Sequence, residues 1–444
     1  MQYTEPDVNC RKGKEEDPQG PEDWQATFEP VKDPRRKQGQ RYSLSSILLL
    51  ALAAILSNHC SELAIAQWGA AQSEEVKQAL GFQKGVTPHQ TTIQRLFRRL
   101  SADELEAAFR HLFKHLFDTA KEQRGACGVS IDGKAQRGRL KFEQEEAYPV
   151  HAVSIVEHQT GIVLTQGHVE QTATPPPNTL TKTDSSPKSK QRPKPKKSKQ
   201  TENKAKQEQE DQKMKSELAV ASRLLEHMDW KGKVLTGDAL YCQRCLCHAI
   251  RQAGGDYLFL LKANQPQLFE DIRLLFAPPE AAKRAGEGIL RLPEQHAQTA
   301  EAAHGRVDIR RIRVSSELNA YSDWPGLEQV FEIRRGYRSK GEWREYVRYG
   351  VTSLPATIAT PARVLTLKRG HWGIENRLHY VKDVTMGEDR STIHADNGPK
   401  IMAALRNTVL SLLRRAGFST ITARMRYNSI HPEAALALLS VSLS

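Results

Sequence analysis

Apolar positions change period along the chain, and the changes predict its elements. Leu44 to Ala71 is largely apolar at helical spacing, with Ser43 placed to cap it. Pro88-His89 opens a second helix through Ile93, Leu96, Phe97 and Leu100, whose other face carries Arg95, Arg98 and Arg99. Ser101 caps a third through Leu105, Phe109, Leu112, Phe113 and Leu116. These predict a small all-α unit over 24–118, either a DNA-binding domain with the arginine face on phosphates or a helical prop whose arginines are solvated. From 128 to 170 short runs replace the helical spacing, predicting strands at 128–138, 150–156 and 162–169, with Glu157 to Gly161 as a turn. A helix over 218–228, a strand before Asp238, a helix over 242–253, the buried strand Tyr257 to Lys262 and a short helix over 268–276 follow. Residues 286–353 switch to β, as where Val347, Tyr349 and Val351 alternate with Arg348 and Gly350. Two more helices close the pattern, one over 369–390 and one over 397–415 with Met402, Leu405, Val409 and Leu412 on one side.

This order gives an α/β chain whose mixed sheet has its first and fourth strands as neighbours. Each of those strands ends in an aspartate, Asp132 and Asp238. A carboxylate at the end of a buried strand is costly unless paired or metal-bound. In the stretch RGHWGIENRLHYVKDVTMGEDR (369–390), His371, Glu375, His379 and Lys382 recur at spacings of four, four and three. On an α-helix they share one polar face, with Ile374, Leu378 and Val381 on the buried side. One reading is a surface helix with ordinary i,i+4 pairs. The other gives Asp132, Asp238 and Glu375 two Mg²⁺ ions, which want oxygen ligands, and gives the cations phosphate.

Composition sharpens the second reading. The 444 residues carry a net charge of +13, so a polyanion is the natural partner. Six cysteines spread through a long chain without a signal-peptide pattern do not form a disulfide framework, and the longest apolar run, 47–56, is short of a membrane span. The expectation is a cytoplasmic, nucleic-acid-facing protein with no membrane partner. Residues 1–23 read as a polar tail. From 181 to 215 twelve Lys or Arg meet five Asp or Glu with no aliphatic β-branched, Leu or aromatic residue, so 171–217 reads as a disordered Lys/Pro-rich loop, either a non-specific DNA contact or a solvated linker. Cys242-x-x-Cys245-x-Cys247-His248 lacks the second knuckle of a structural zinc site and reads as ordinary helix. Trp372 reads as a half-buried core aromatic rather than a base-stacking one. His379 beside Glu375 reads either as a tuning or phosphate-touching group or as a structural histidine.

The stretches DPRRKQGQRYSL, SIDGKAQRG, LTGDALYCQ, GGDYLFLLKANQP, HGRVDIRRI, WPGLEQV and RGHWGIENRLHYVKDVTMGED, in that order, resemble the DDE transposases of bacterial insertion sequences, and more narrowly the ISAs-type, H-repeat-associated group. The resemblance implies an RNase H-like catalytic core, a mixed five-stranded sheet with helices, with a β-rich insertion before the catalytic Glu helix and an N-terminal all-α domain. Its parts fall at 125–170, 218–275 and 354–418, the insertion at 276–353 and a tail at 419–444. It implies Asp132, Asp238 and Glu375 as the catalytic, metal-binding triad, with Mg²⁺ and Mn²⁺ as a substitute. DNA contacts are expected from Arg369, His371, Lys382, Lys134, Arg137 and Arg95. Lys382 fits the signature Lys seven residues after the Glu, while His371 and Lys368 stand where related transposases have Arg and Tyr. The implied partners are double-stranded DNA, as terminal inverted repeats and target, and a second copy of the chain on that DNA. The alternatives are a different metal-dependent endonuclease on the same fold, or a relic that only binds DNA.

Overall fold

The computed structural model describes residues 23–121, 127–136, 150–169, 217–277, 294–303, 306–339 and 342–441. The Lys/Pro-rich stretch up to 216, the first 22 residues and Arg137 lie outside them.

Among the described residues nine strands form one mixed sheet. They are β1 (Cys127–Gln136), β2 (Val150–Glu157), β3 (Val163–His168), β4 (Lys233–Gly237), β5 (Asp256–Leu261), β6 (Gln295–Ala303), β7 (Arg306–Ser315), β8 (Gln329–Ser339) and β9 (Glu342–Thr352). Their order is β3-β2-β1-β4-β5-β9-β8-β7-β6. β1 runs antiparallel to β2 and parallel to β4, and β4 is parallel to β5. The first and fourth strands are thus neighbours, as their order along the chain predicts. The β-rich insertion is not a separate layer. Residues 349–352 of β9 pair with 258–261 of β5, so the meander β6 to β9 extends the same sheet. An alternating pattern cannot tell these cases apart, because joining depends on which edge strand lies free.

Alternation sends Val129, Ile131, Leu235, Tyr257 and Phe259 to one face, under the helices at 217–226, Arg244–Gln252 and Pro266–Leu275. Val234, Leu258, Ile312 and Phe331 point the other way, against Val364, Leu365 and Leu367 of the Pro361–His371 helix. Cys242 and Cys247 are buried in the first of these layers while Cys245 is exposed, so the three thiols do not converge.

The Leu44–Leu56 helix, capped by Ser43 with Ser46 N at 2.9 Å, is apolar all round and accordingly buried all round. The stretch 37–56 is apolar and long enough to cross a membrane by composition, yet its helix is the centre of a protein core. That core also contains Met402, Leu405 and Val409 of the Gly398–Arg415 helix, and Ile421, Met425, Leu436 and Leu439. Residues 419–444, expected as a tail, therefore supply two helices, Ile421–Ile430 and Pro432–Leu438. Trp24 Nε1 donates to Leu439 O at 2.8 Å and Asn428 Nδ2 to Leu56 O at 3.1 Å, which ties the two ends of the chain together. The N-terminal helices thus share one core with the C-terminal ones. Arg95 and Arg99 remain exposed on their helix.

Where this helical body meets the sheet, Glu106 is buried and its Oε1 accepts from Gln166 Nε2 of β3 at 3.0 Å. Burial pushes its carboxyl up to about 8 against the opposing pull of Lys382 and Arg110. The folded protein therefore holds this proton more tightly than the unfolded chain, and stability drains away as pH rises from the ordinary carboxyl range towards 8. Glu106→Gln removes that drain. Thermal unfolding should show a gain on the order of 2 kcal/mol at pH 8 and little change at pH 4.5. A loss at pH 8 would instead mean that Glu106 is ionised and paired.

Candidate active site

β1 and β4 carry the two aspartates: Asp238 follows the end of β4 as expected, but Asp132 lies within β1, opposite Ser154, and not at its end. Their parallel register pairs Ser130 with Thr236, and two residues further along each chain stand Asp132 and Asp238. Gly133 follows Asp132 for a spatial reason: a Cβ there would overlap the carboxylate of Glu217 at the start of the 217–226 helix. Glu217 in turn accepts from Tyr241 Oη at 2.7 Å. Asp238 Oδ1 accepts from Leu240 N at 2.9 Å. Burial pushes the Asp238 carboxyl up, and the charges of Asp132 and Glu217 add to the push. Sequence reasoning missed Glu217, which lies at the border of the Lys-rich stretch, 24 residues from its hydrogen-bond partner Tyr241.

The third acidic residue arrives from the opposite layer. Thr360 caps the Pro361–His371 helix, which leans on β1 and β4 through His158. Gly128 and Gly370 both lie against that imidazole, and a Cβ at either would overlap it. His158 Nε2 meets Thr236 Oγ1 at 2.9 Å, and His371 Nδ1 approaches the same hydroxyl at 3.5 Å. Burial lowers His158 to about 3 and His371 to about 4, so both are neutral at physiological pH. His371 thus sits in a helix–sheet joint.

Beyond His371 the winding changes. Glu375–His379 and Val381–Thr385 are π-helical, closed by Tyr380 N to Glu375 O and by Met386 N to Val381 O at 3.1 Å. An i→i+5 ring adds about one residue to each turn. Four residues then make nearly a full turn, so His379 stays beside Glu375. Seven residues fall well short of two turns, so Lys382 leaves that side, contrary to the single α-helical face expected from the spacing. Its ammonium is buried, 3.2 Å from Glu388 Oε1. Glu388 also faces Arg406 at 3.6 Å and Lys134 at 3.5 Å, and Lys134 pairs with Asp383. Despite the cost of burial, these three cations hold the Glu388 carboxyl down at about 2. Lys382 and Lys134 therefore face carboxylates of the protein itself.

Asp132, Glu375 and His379 come together. One donor atom from each lies within 4.8 Å of the others, and His379 Nε2 is 3.2 Å from Asp132 Oδ2. Asp238 stands outside this tight group but is electrostatically coupled to Asp132. Two carboxylates and an imidazole, with Glu375 exposed to solvent, make a donor set suited to a divalent cation.

Beside the site, a cleft of about 640 Å³ separates the inner faces of β7, β8 and β9 from the Pro361–His371 helix. Arg310, Arg335, Arg348 and Lys368 line it with Tyr346 and Trp372. Arg369, also on its rim, pairs with Glu301 of β6. Burial and the three arginines lower Lys368 to about 8. Trp372 is 60 % exposed, not the core residue expected.

A family model described as Transposase DDE domain matches residues 210–412, and one described as DDE_Tnp_1-associated matches 25–113. The "H repeat-associated putative transposase YhhI" of Escherichia coli (strain K12) is 26% identical over 393 residues, covering 86% of this chain and 88% of its own. The "Putative transposase YncI" of Escherichia coli O157:H7 is 25% identical over 419 residues, covering 91% and 92%. A piggyBac transposase synaptic complex with hairpin DNA matches with 10% identity and a TM-score of 0.33, over 91% of this chain and 75% of that one, too low to bear on the fold.

Proposed function

The chain belongs to the DDE transposases, and from that premise we propose that it cuts the ends of an insertion sequence at a site built from Asp132, Asp238 and Glu375. The observation that carries this is the meeting of Asp132, on β1, with Glu375, from the opposite layer, where Asp238 leaves the neighbouring parallel strand. The order β3-β2-β1-β4-β5 supports an RNase H-like core, which the β6–β9 meander prolongs.

The residues fit divalent cations. Asp132, grouped with Glu375 and coupled in charge to Asp238, would hold the ions together with those two carboxylates. Mg²⁺, or Mn²⁺ in its stead, supplies the Lewis acidity that activates a hydroxyl and steadies the leaving oxygen in an in-line displacement. The protein's part is to orient. The Leu240 N–H holds one oxygen of Asp238, and Arg377 donates to His158 O at 2.7 Å, fastening the π-helical turn to the β2–β3 corner.

Arg369, Lys368, Arg348 and Arg310 are placed to take backbone phosphates beside the site, and exposed Arg95 to take them further off. Lys382, Lys134 and His371 would act indirectly, by holding the π-helical turn and the sheet end. Double-stranded DNA carrying terminal inverted repeats is the substrate in the cytoplasm, with two copies of the chain on a pair of ends, a ratio that sedimentation of the complex reads directly.

The test is nicking of DNA that carries the repeats flanking the gene, with Mg²⁺ or EDTA. Cleavage at the repeat ends that EDTA stops is the expected result. Cleavage that ignores the repeats makes the protein a general nuclease, and binding without cleavage makes it a DNA-binding relic. On the same DNA, Lys368→Ala should weaken binding and lower the slope of log affinity against log salt by about 1; an unchanged slope removes the cleft from the DNA path.

A further inference from the structure

His379 is 95% buried, and among the described residues its ring makes one hydrogen bond, from Nε2 to Asp132 Oδ2 at 3.2 Å. Nδ1 is buried too and has no hydrogen-bond partner among the described residues. The large majority of buried side-chain polar atoms find a hydrogen-bond partner. Here the single polar contact leads to a carboxylate at the reaction site, and the π-helical turn holds the ring beside Glu375. Donors at right angles on an ion about 2.1 Å away stand roughly 3 Å apart, which matches the spacing of Nε2 and Oδ2.

We propose that His379 is the nitrogen donor of a mixed site with Asp132 and Glu375, which makes manganese(II) a better occupant than magnesium. This deepens, and rests on, the reading of Asp132 and Glu375 as cation ligands. Ion binding exchanges the Nε2–H···Oδ2 hydrogen bond for two bonds to the ion. The proton displaced from Nε2 by the ion is taken up at Nδ1. Nδ1 is free to carry it, at the cost of one buried N–H with no acceptor among the described residues. Nitrogen donors favour first-row transition ions over a hard ion such as magnesium, so the site discriminates in a way that three carboxylates alone would not.

The test is pulsed electron paramagnetic resonance on the full-length, tag-free protein with one equivalent of manganese(II). The expected spectrum shows ¹⁴N modulation from a bound imidazole, which becomes a ¹⁵N pattern in protein labelled at histidine. This measurement needs no variant. In His379→Gln the modulation disappears and manganese(II) affinity falls at least about tenfold, while magnesium affinity changes little. Manganese(II) bound in a manner that Asp132→Asn abolishes, but without nitrogen modulation, overturns the inference and leaves the carboxylate site standing. Modulation that persists in His379→Gln assigns the nitrogen elsewhere and also overturns it. Binding untouched by Asp132→Asn overturns the carboxylate reading itself.

Discussion

Glu375→Gln should abolish metal-dependent cleavage of repeat-bearing DNA, by at least about 10³-fold, with DNA affinity unchanged. The size follows from the work asked of the group. Charge stabilisation at a metal-assisted phosphoryl transfer is worth several kcal/mol, and each 1.36 kcal/mol is tenfold in rate. The change keeps the volume of the side chain, and Glu375 is exposed at the surface of its π-helical turn, so the fold has no reason to respond. Asp132→Asn should do the same, since an amide oxygen still accepts from His379 Nε2 while the charge is gone. Initial rates on the repeat DNA, beside gel-shift affinities, check both. Residual cleavage within tenfold of the parent for either variant would remove these residues from the reaction.

Glu388→Gln should be the most damaging single change to stability. The carboxylate is 2% exposed and serves Lys382, Arg406 and Lys134 at 3.2, 3.6 and 3.5 Å. The two nearest-buried of these cations, Lys382 and Arg406, have side chains 3% and 2% exposed. Lys134 keeps Asp383, but removing the shared carboxylate leaves the buried Lys382 and Arg406 short of counter-charge, typically at a cost of about 3–5 kcal/mol. Chemical denaturation at pH 7 reads this as a lowered midpoint. The pH dependence has a definite sign. The folded carboxyl titrates near 2, below the ordinary range, so its contribution is complete above about 4.5 and is lost as pH falls towards 2. The parent and Glu388→Gln should therefore converge in acid. Adding Lys382→Met should recover part of the loss, because an apolar group of similar volume does not need a partner there. A loss under about 1 kcal/mol at pH 7, or curves that fail to converge in acid, would show that the cluster is not what holds this region. Lys382 anchors the second π-helical turn through this cluster, so Glu388→Gln should also slow cleavage by loosening Glu375.

Much of this arrangement was legible in the residues. Short apolar runs with a turn between them marked β1, β2 and β3, and the run before Asp238 marked β4. Because βββαβ order places strands one and four together, the two aspartates followed. Trp372 went the other way: an aromatic beside an apolar stripe reads as core, yet the end of the Pro361–His371 helix turns it outward to the basic cleft. The tail over 419–444 was misread because its helices are short and polar on most sides, and only contact with Leu56 and Trp24 makes them worth forming.

By itself, then, the sequence determined which elements exist and which of them carry acids, since local periodicity and chain order are encoded residue by residue. The tertiary structure decided the rest. Spacings of four, four and three are equally consistent with one α-helical face, and it took Glu388, supplied from beyond the helix, to draw Lys382 inward against the like charge of Arg406 and leave His379 beside Glu375 and Asp132. Likewise the joining of β9 to β5 depended on a free strand edge, and the fusion of the first and last helices on a shared core. Winding, edge pairing and core sharing are each settled by small differences between competing contacts, and the partners that settle them stand far away in the chain.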